Sequence, residues 1–204
     1  GWWQYLFLLL SRRPRALTKP GNLQWSHKDS ADLYAVKEWA DGLFEVGEKG
    51  ELQVLVNNDQ TVSLMEIAEG LQQRDLAMPV LLRIENHLDR AITQINTAFS
   101  DAIKSVNYQG EYRGVFPIKV NQLREVVEEI QAAGKEFNYG LECGSKPELM
   151  IALAMHKNMK SLIICNGYKD DEFIRLALNG RRIGKEIFLV VEQLSEVARI
   201  IQIS

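Results

Sequence analysis

A lysine inside an apolar segment is the residue of this sequence best placed to do chemistry. Lys119 lies in 113-RGVFPIKVNQ-122, two residues after Pro117 and just before a segment with helical spacing. A lysine ammonium that loses its hydration has a lowered pKa and becomes a better nucleophile toward carbonyl groups, forming a Schiff base with an aldehyde. Two interpretations are open: this nucleophile, or an ion pair between Lys119 and Glu142 on the neighbouring strand.

The elements that must position this lysine repeat along the second half of the chain. Four apolar, strand-like runs are each followed by a segment with helical spacing, and the runs start about 24 residues apart. The predicted strands are 113–120, 137–142, 161–166 and 186–192. Apolar strands that alternate with helices predict an α/β fold with a buried parallel sheet, either a doubly wound sheet or a (β/α)8 barrel.

Polar residues at the carboxyl ends of these strands are the other candidates, because sites in parallel βα folds form at that edge. They are Lys119, Asn121, Glu142, Asn166 and Glu192. Structural roles remain open for most of them. Glu142 and Glu192 can cap loops or pair with surface lysines, and Asn166-Gly167 is a favourable turn by itself.

The predicted helices carry signals at their ends. Gly134 is placed to cap the first helix, and 145-SKPE-148 is a capping box that opens the second. The Asn179-Gly180 pair is placed to end the third helix, and the fourth is expected to begin near Leu194.

The region before Arg113 has a different pattern and predicts a separate part of the molecule. Residues 80–104 indicate one long amphipathic helix, and 43–56 indicate a hairpin flanked by helices at 29–40 and 61–74. The apolar stretch 1-GWWQYLFLLL-10 is shorter than the roughly 20 residues of a membrane-spanning helix. We predict an unassigned leader at 1–22, an α+β segment at 23–78, and the long helix with the βα units at 79–204.

Composition and charge exclude several classes of function. The 204 residues carry a formal net charge of -3 with interspersed signs, which favours neither a nucleic-acid partner nor a membrane. Cys143 and Cys165 have no metal-ligand spacing and favour buried, reduced thiols, which fits the cytoplasm. The histidines lack ligand spacing, so none receives a role and no metal ligand is assigned; they are His27, His87 and His156.

Several segments together resemble the biosynthetic arginine decarboxylases, which belong to the alanine-racemase-like, fold-type III group of pyridoxal-phosphate (PLP) enzymes. The matching segments, in order, are 25–46, 108–122, 139–154, 162–178 and 188–197. By this resemblance Lys119 is the catalytic lysine that binds PLP as a Schiff base on the first barrel strand. Glu142 occupies the position where relatives place a carboxylate near the cofactor.

The resemblance also implies the architecture and the reaction. The fold would be a partial (β/α)8 barrel, its first four βα units, preceded by an α+β N-terminal segment. The complete enzyme would convert arginine to agmatine and carbon dioxide in polyamine biosynthesis, with magnesium as a further cofactor, as a homo-oligomer. A whole barrel takes about 250 residues, so we expect the isolated 204-residue chain to be inactive. The alternatives are another fold-type III decarboxylase, of diaminopimelate or ornithine type, or a non-catalytic βα binding module.

Overall fold

The computed structural model describes residues 24–57 and 60–204, so the predicted leader, residues 1–22, lies outside the described part. The chain divides into two compact units, one up to Leu76 and one from Ala77 to Ser204. No helix within the described ranges is long and apolar enough to cross a membrane.

The first unit combines short helices with a three-stranded antiparallel sheet of order β1-β2-β3. Its elements are α1 (His27–Leu33), α2 (Val36–Ala40), β1 (Phe44–Val46), β2 (Leu52–Asn57), β3 (Gln60–Ser63) and α3 (Leu64–Gln72). The predicted hairpin is present, since β1 pairs with β2 and Gly50 takes the positive φ of 83° that its turn requires.

Two predicted helices of this unit differ from the structure. The segment 29–40 forms two helices rather than one, because Ala35 between them has a left-handed φ of 50°. The helix expected from residue 61 begins only at Leu64, since the preceding residues pair with β2 as β3. Ser63 ends that strand and caps α3 by accepting the N–H of Met65 at 3.2 Å.

The second unit holds the long helix and the four βα repeats. Its elements are α4 (Glu85–Ser105), β4 (Val115–Pro117), α5 (Arg124–Ala133), β5 (Gly140–Cys143), α6 (Lys146–Met155), β6 (Leu162–Cys165), α7 (Asp171–Arg182), β7 (Glu186–Leu189) and α8 (Leu194–Ile203). Helix α4 starts five residues later than predicted, whereas α8 starts at the predicted residue. A buried cluster of Ile92, Val126 and Ile130 joins α4 to α5.

The four strands of this unit form a parallel sheet in sequence order, β4-β5-β6-β7, as the repeated pattern predicted. Leu141, Ile163 and Ile187 are aligned neighbours on three strands and are almost fully buried in one core with α5, α6 and α7. These three helices therefore cover the same face. A doubly wound sheet has a reversal of strand order, and the four described strands of this sheet show none.

Pro117, a residue that fits poorly in a buried central strand, lies at the end of β4. Strand β4 is at the edge of the described sheet, with β5 as its only described neighbour. An edge strand tolerates proline because its outward N–H has no ladder partner to lose.

Gly134 is the C-cap of α5 as its position predicted, whereas Gly180 does not end α7, and both glycines allow close packing. Gly134 does follow α5, but its φ of -79° is right-handed, and a Cβ there would lie 2.4 Å from the Cβ of Tyr139. Gly180 lies inside α7 instead of ending it, and a Cβ there would come within 2.4 Å of the Cδ1 of Ile187 on β7. Both glycines let a helix approach the segment that packs against it.

The predicted capping box at the start of α6 is partly as expected. The Ser145 hydroxyl accepts the N–H of Glu148 at 3.4 Å, which caps the helix. The Glu148 carboxylate accepts the N–H of Gly144 at 2.8 Å, one residue earlier than a standard capping box requires. This contact fixes the loop that leaves the carboxyl end of β5.

A buried histidine follows α6 and makes the fold sensitive to pH. His156 is only 2% exposed, and its Nε2 lies 3.0 Å from the carbonyl oxygen of Ser161 and 2.7 Å from the hydroxyl of the same residue. Its Nδ1 has no hydrogen-bond partner among the described residues. Burial, and then the charge of Lys185, lower the pKa of His156 below its ordinary value.

We therefore expect the chain to lose stability as the pH falls below about 6.5, the ordinary histidine value. A group whose folded-state pKa is depressed contributes stability that is present above its unfolded pKa and is lost as pH falls through the folded value. Urea unfolding of the 204-residue chain at several pH values measures this. His156→Gln should flatten the dependence between about pH 7 and pH 5, and His27→Gln, at a less buried histidine, should not. Equal pH dependence in the wild type and His156→Gln would refute the assignment.

Candidate cofactor site

The lysine singled out from the sequence lies just beyond its strand rather than within it. Strand β4 ends at Pro117, and a single 3-10 turn follows over Ile118–Val120. Ile118 is fully buried and anchors this turn in the core, whereas Lys119 and Val120 are exposed. The expected desolvation of the Lys119 ammonium was wrong, because the strand ends at Pro117, three residues earlier than the apolar pattern indicated.

Glu142 is the buried acidic residue of this site. It lies in β5, is 5% exposed, and is aligned with Pro117 on β4 and Ile164 on β6. Its chain neighbours Leu141 and Cys143 belong to the core between the sheet and the helices. Since side chains alternate along a strand, Glu142 lies on the opposite face of the sheet, the one that α5, α6 and α7 do not cover.

One oxygen of Glu142 is held and the other is not. The Asn166 amide donates from Nδ2 to Oε1 of Glu142 at 2.9 Å. Oε2 of Glu142 is buried and has no hydrogen-bond partner in the described part of the chain. The ion pair between Lys119 and Glu142 that the sequence left open is absent there, because no described ion pair involves Lys119.

Asn166 and Gly167 form the turn that leaves β6, as their sequence predicted. The Asn166 N–H extends the ladder to the carbonyl of Cys143 at 2.9 Å. Gly167 has a φ of 75°, and its N–H donates to Oε1 of Glu192 at 2.9 Å. A Cβ at Gly167 would also lie 2.8 Å from the carbonyl oxygen of Gly144. Both the backbone conformation and the close approach of the neighbouring loop therefore require glycine.

The remaining strand-end candidates have local structural contacts. Glu192 is exposed and caps the Gly167 turn, which agrees with the structural role left open for it. Asn121 accepts the N–H of Leu123 through Oδ1 at 3.2 Å, at the entry to α5. The structure thus brings Glu142 and Asn166 into direct contact. Lys119 is placed close to them because its turn follows Pro117, the residue of β4 that is aligned with Glu142.

Lys169 and Glu196 form a buried ion pair next to the Asn166-Gly167 turn. The sequence did not indicate this pair. Lys169 is 3% exposed and Glu196 is also 3% exposed, with the Lys169 Nζ 3.5 Å from Oε2 of Glu196. Lys169 also donates to the carbonyls of Gly167 and Val190. The Glu196 carboxylate accepts the N–H groups of Lys169 and Glu192, each at 2.9 Å. These contacts tie the start of α8 to the loop that carries Asn166.

The charges of this pair are stabilised by their surroundings. Burial by itself would raise the pKa of Glu196, but the N–H groups of Lys169 and Glu192, together with the Lys169 ammonium, outweigh burial and lower that pKa. In the sequence, Lys169 lies in a polar loop after Asn166-Gly167 and looks like an ordinary exposed lysine. Only its contacts in three dimensions distinguish it.

The two cysteines are buried, as their apolar surroundings predicted. Cys143 and Cys165 are aligned on neighbouring strands, fully buried and unbridged, with their Sγ atoms 3.7 Å apart. The hydrogen bond with Cys165 and burial raise the pKa of the Cys143 thiol far above its ordinary value. Such a thiol is a poor nucleophile. Across residues 24–57 and 60–204, no three His, Cys, Asp or Glu side chains are grouped to hold a metal ion.

A family model described as "Pyridoxal-dependent decarboxylase, pyridoxal binding domain" matches residues 92–204, which is more than half of the chain. The chain belongs to this family. The matched residues include the turn that carries Lys119 and all four parallel strands.

Individual relatives and one solved structure show which decarboxylases the chain is similar to. A biosynthetic arginine decarboxylase from Synechococcus sp. (strain RCC307) is 43% identical over 88% of this chain, and one from Bacteroides thetaiotaomicron is 45% identical over 85%. The crystal structure of the biosynthetic arginine decarboxylase from Campylobacter jejuni matches 83% of this chain with a TM-score of 0.78 and 33% identity. The chain spans only 28% of the length of each of these proteins. The resemblance inferred from the sequence is confirmed.

Proposed function

We propose that this chain provides the cofactor lysine of a biosynthetic, PLP-dependent arginine decarboxylase. The complete enzyme converts arginine to agmatine and carbon dioxide, the entry to polyamine biosynthesis. The observation that carries the proposal is the pyridoxal-binding match over residues 92–204, together with relatives named biosynthetic arginine decarboxylase at 43% and 45% identity.

One feature of the described residues fits bound PLP: a buried carboxylate oxygen that has no hydrogen-bond partner among them. Oε2 of Glu142 is buried without a partner at the carboxyl edge of the sheet, where a bound group that donates a hydrogen bond would satisfy it. Lys119, in the turn after the adjacent strand β4, is an exposed primary amine outside every described ion pair. Bound PLP supplies an aldehyde that condenses with amines and a pyridine ring that takes up electrons from a breaking bond.

The chain's own residues then have distinct tasks. Lys119 would hold the cofactor through Nζ and would carry a proton at that atom near the reacting centre. Glu142 would accept a hydrogen bond from the bound group through Oε2 and so orient it. Ile118, fully buried beside Lys119, fixes the turn and therefore the reach of the lysine.

The architecture proposed with this function is a (β/α)8 barrel; residues 79–204 form the long helix and the first four βα units, and an α+β segment at 23–78 precedes them. The sequential order of the parallel strands and the helices on one face support it. The remaining contacts to the phosphate and the pyridine nitrogen would come from the rest of the barrel. Magnesium and a homo-oligomer stay predictions from the resemblance, and a cytoplasmic location stays a prediction from the two cysteines.

A chimera tests the function because the chain spans 28% of its relatives. In the arginine decarboxylase from Bacteroides thetaiotaomicron, the segment that this chain matches is replaced by this chain; we call this protein the chimera. With PLP and magnesium it should release carbon dioxide from arginine at roughly 1 per second or more, and at least about tenfold more efficiently than from ornithine, lysine or diaminopimelate.

The unmodified relative is the positive control, and the isolated 204-residue chain is the negative control. A folded chimera that prefers ornithine or diaminopimelate would move the chain to another decarboxylase of this group. A folded chimera without turnover on any of the four substrates would favour a non-catalytic binding module.

A further inference from the structure

We propose that Asn166 is a positioning residue that orients Glu142 toward the bound cofactor or substrate. This inference rests on the proposed function and adds to it a second residue, on a different strand end. Asn166 itself need not touch the ligand. It acts by holding one oxygen of Glu142 so that the other oxygen faces a group that the described chain does not supply.

The geometry of the contact is specific. Glu142 is aligned with Ile164 on β6, and Asn166 lies two residues further along, so its amide reaches back to the carboxylate. Only the amide nitrogen can donate to a carboxylate oxygen, and Nδ2 lies 2.9 Å from Oε1 of Glu142. Buried polar atoms almost always have a partner, yet Oε2 of Glu142 has none among residues 24–57 and 60–204. The unpaired atom is therefore a binding position for a donor.

The chemistry of Asn166, which holds Glu142, indicates what kind of group can donate to Oε2 of Glu142. A neutral amide fixes the orientation of a carboxylate without bringing positive charge, whereas a lysine or arginine would satisfy that charge directly. Lys169, a buried lysine of the same sheet edge, is engaged by Glu196 and by two carbonyls. Glu142 is thus left to accept from a protonated nitrogen or another donor of the bound cofactor or substrate.

Asn166 is itself held rigidly enough for this task. Its N–H is bonded to the carbonyl of Cys143, and the next residue, Gly167, is fixed by its positive φ and by Glu192. Lys169 donates a hydrogen bond to the carbonyl of Gly167 and forms an ion pair with Glu196. A side chain on such a turn loses little further freedom when it forms its hydrogen bond.

The test uses the chimera and measures its affinity for PLP rather than turnover alone. Asn166→Ala should weaken PLP binding about tenfold in an absorbance titration, which corresponds to one hydrogen bond to a charged group. It should also shift the pH profile of the bound-cofactor absorbance. Asn166→Asp keeps the shape but cannot donate when ionised, so it should weaken binding at least as much and guards against misfolding of the alanine variant.

A double-mutant cycle with Glu142→Gln separates positioning from a purely structural role. If Asn166 acts through Glu142, Asn166→Ala should add little to the loss of PLP affinity already caused by Glu142→Gln. The matched control is Asn158→Ala, which removes another asparagine amide contact, to Asn138 at 3.0 Å, remote from the carboxyl ends of the strands. It should leave both PLP affinity and the pH profile unchanged.

Three results would overturn the inference. Asn166 variants that lower the unfolding temperature but leave PLP affinity and the pH profile unchanged would assign the residue a structural role only. Fully additive losses in the cycle would show that Asn166 does not act through Glu142. An unsubstituted chimera that folds but does not bind PLP would overturn the proposed function and this inference with it, a result distinguishable from the first two.

Discussion

Replacing Lys119 by alanine is expected to lower arginine decarboxylation by the chimera by about 10²–10⁴-fold, the range for loss of a positioned proton-transferring group. The variant loses the amine that holds the cofactor and that carries a proton at the reacting centre. Because Lys119 is exposed and outside every described ion pair, its removal should leave the fold intact. The measurement is kcat with saturating PLP, with circular dichroism as the check on folding.

Two further variants sharpen this prediction. Lys119→Arg keeps the positive charge but removes the nucleophilic amine, since a guanidinium stays protonated, and it should be as inactive as alanine. Lys135→Ala removes another exposed lysine, located in the turn after α5, and should retain full activity. Activity of Lys119→Ala within tenfold of the unsubstituted chimera would mean that another lysine serves the cofactor.

The second large effect concerns stability. Glu196→Gln is expected to lower the free energy of unfolding of the 204-residue chain by about 3–5 kcal/mol, because it leaves the Lys169 ammonium buried without its counter-charge. A glutamine also has only one acceptor oxygen for the two N–H groups that the carboxylate now accepts. This loss is a large part of the roughly 5–15 kcal/mol that stabilises a typical domain.

Urea unfolding of the isolated chain measures this difference. Glu128→Gln is the matched control, since it breaks an exposed pair with Arg124 and should cost about 0.5 kcal/mol or less. The double variant Lys169→Met with Glu196→Leu removes both charges and should recover much of the loss. A Glu196→Gln variant as stable as the Glu128→Gln control would show that the buried pair contributes no net stability.

The same pair predicts how stability responds to acid. The pKa of Glu196 is depressed in the folded chain, so its contribution is present above the ordinary glutamate value of about 4.5 and is lost as the pH falls through the lower folded value. The Glu196→Gln variant should lack this part of the acid sensitivity.

The parallel sheet could be predicted from the sequence because its signal is repeated. Each βα unit carries the same apolar run and amphipathic segment, so an error in one unit is corrected by the next. The ends of elements were less predictable. Gly180 is a residue type that often ends a helix, but it lies inside α7, where it makes room for Ile187 on β7. The strand β3 was missed because its pairing with β2 overrides a helical pattern.

The site was predicted in its residue types but not in its environments. Lys119 and Glu142 stand out in the sequence, yet Lys119 is exposed and Glu142 is the buried residue of the two. Burial depends on where the strand ends and on which face a residue occupies, and both are set by packing. The partner of Lys169 lies 27 residues further along the chain. No local pattern can indicate such a pair.

The most direct test of the account is reduction of the PLP-loaded chimera with borohydride, followed by digestion and mass spectrometry of the labelled peptide. The account predicts that the cofactor is recovered on Lys119, and that Lys119→Arg abolishes labelling while Lys135→Ala does not. Recovery of the label on a different lysine, with Lys119 unmodified, would contradict it.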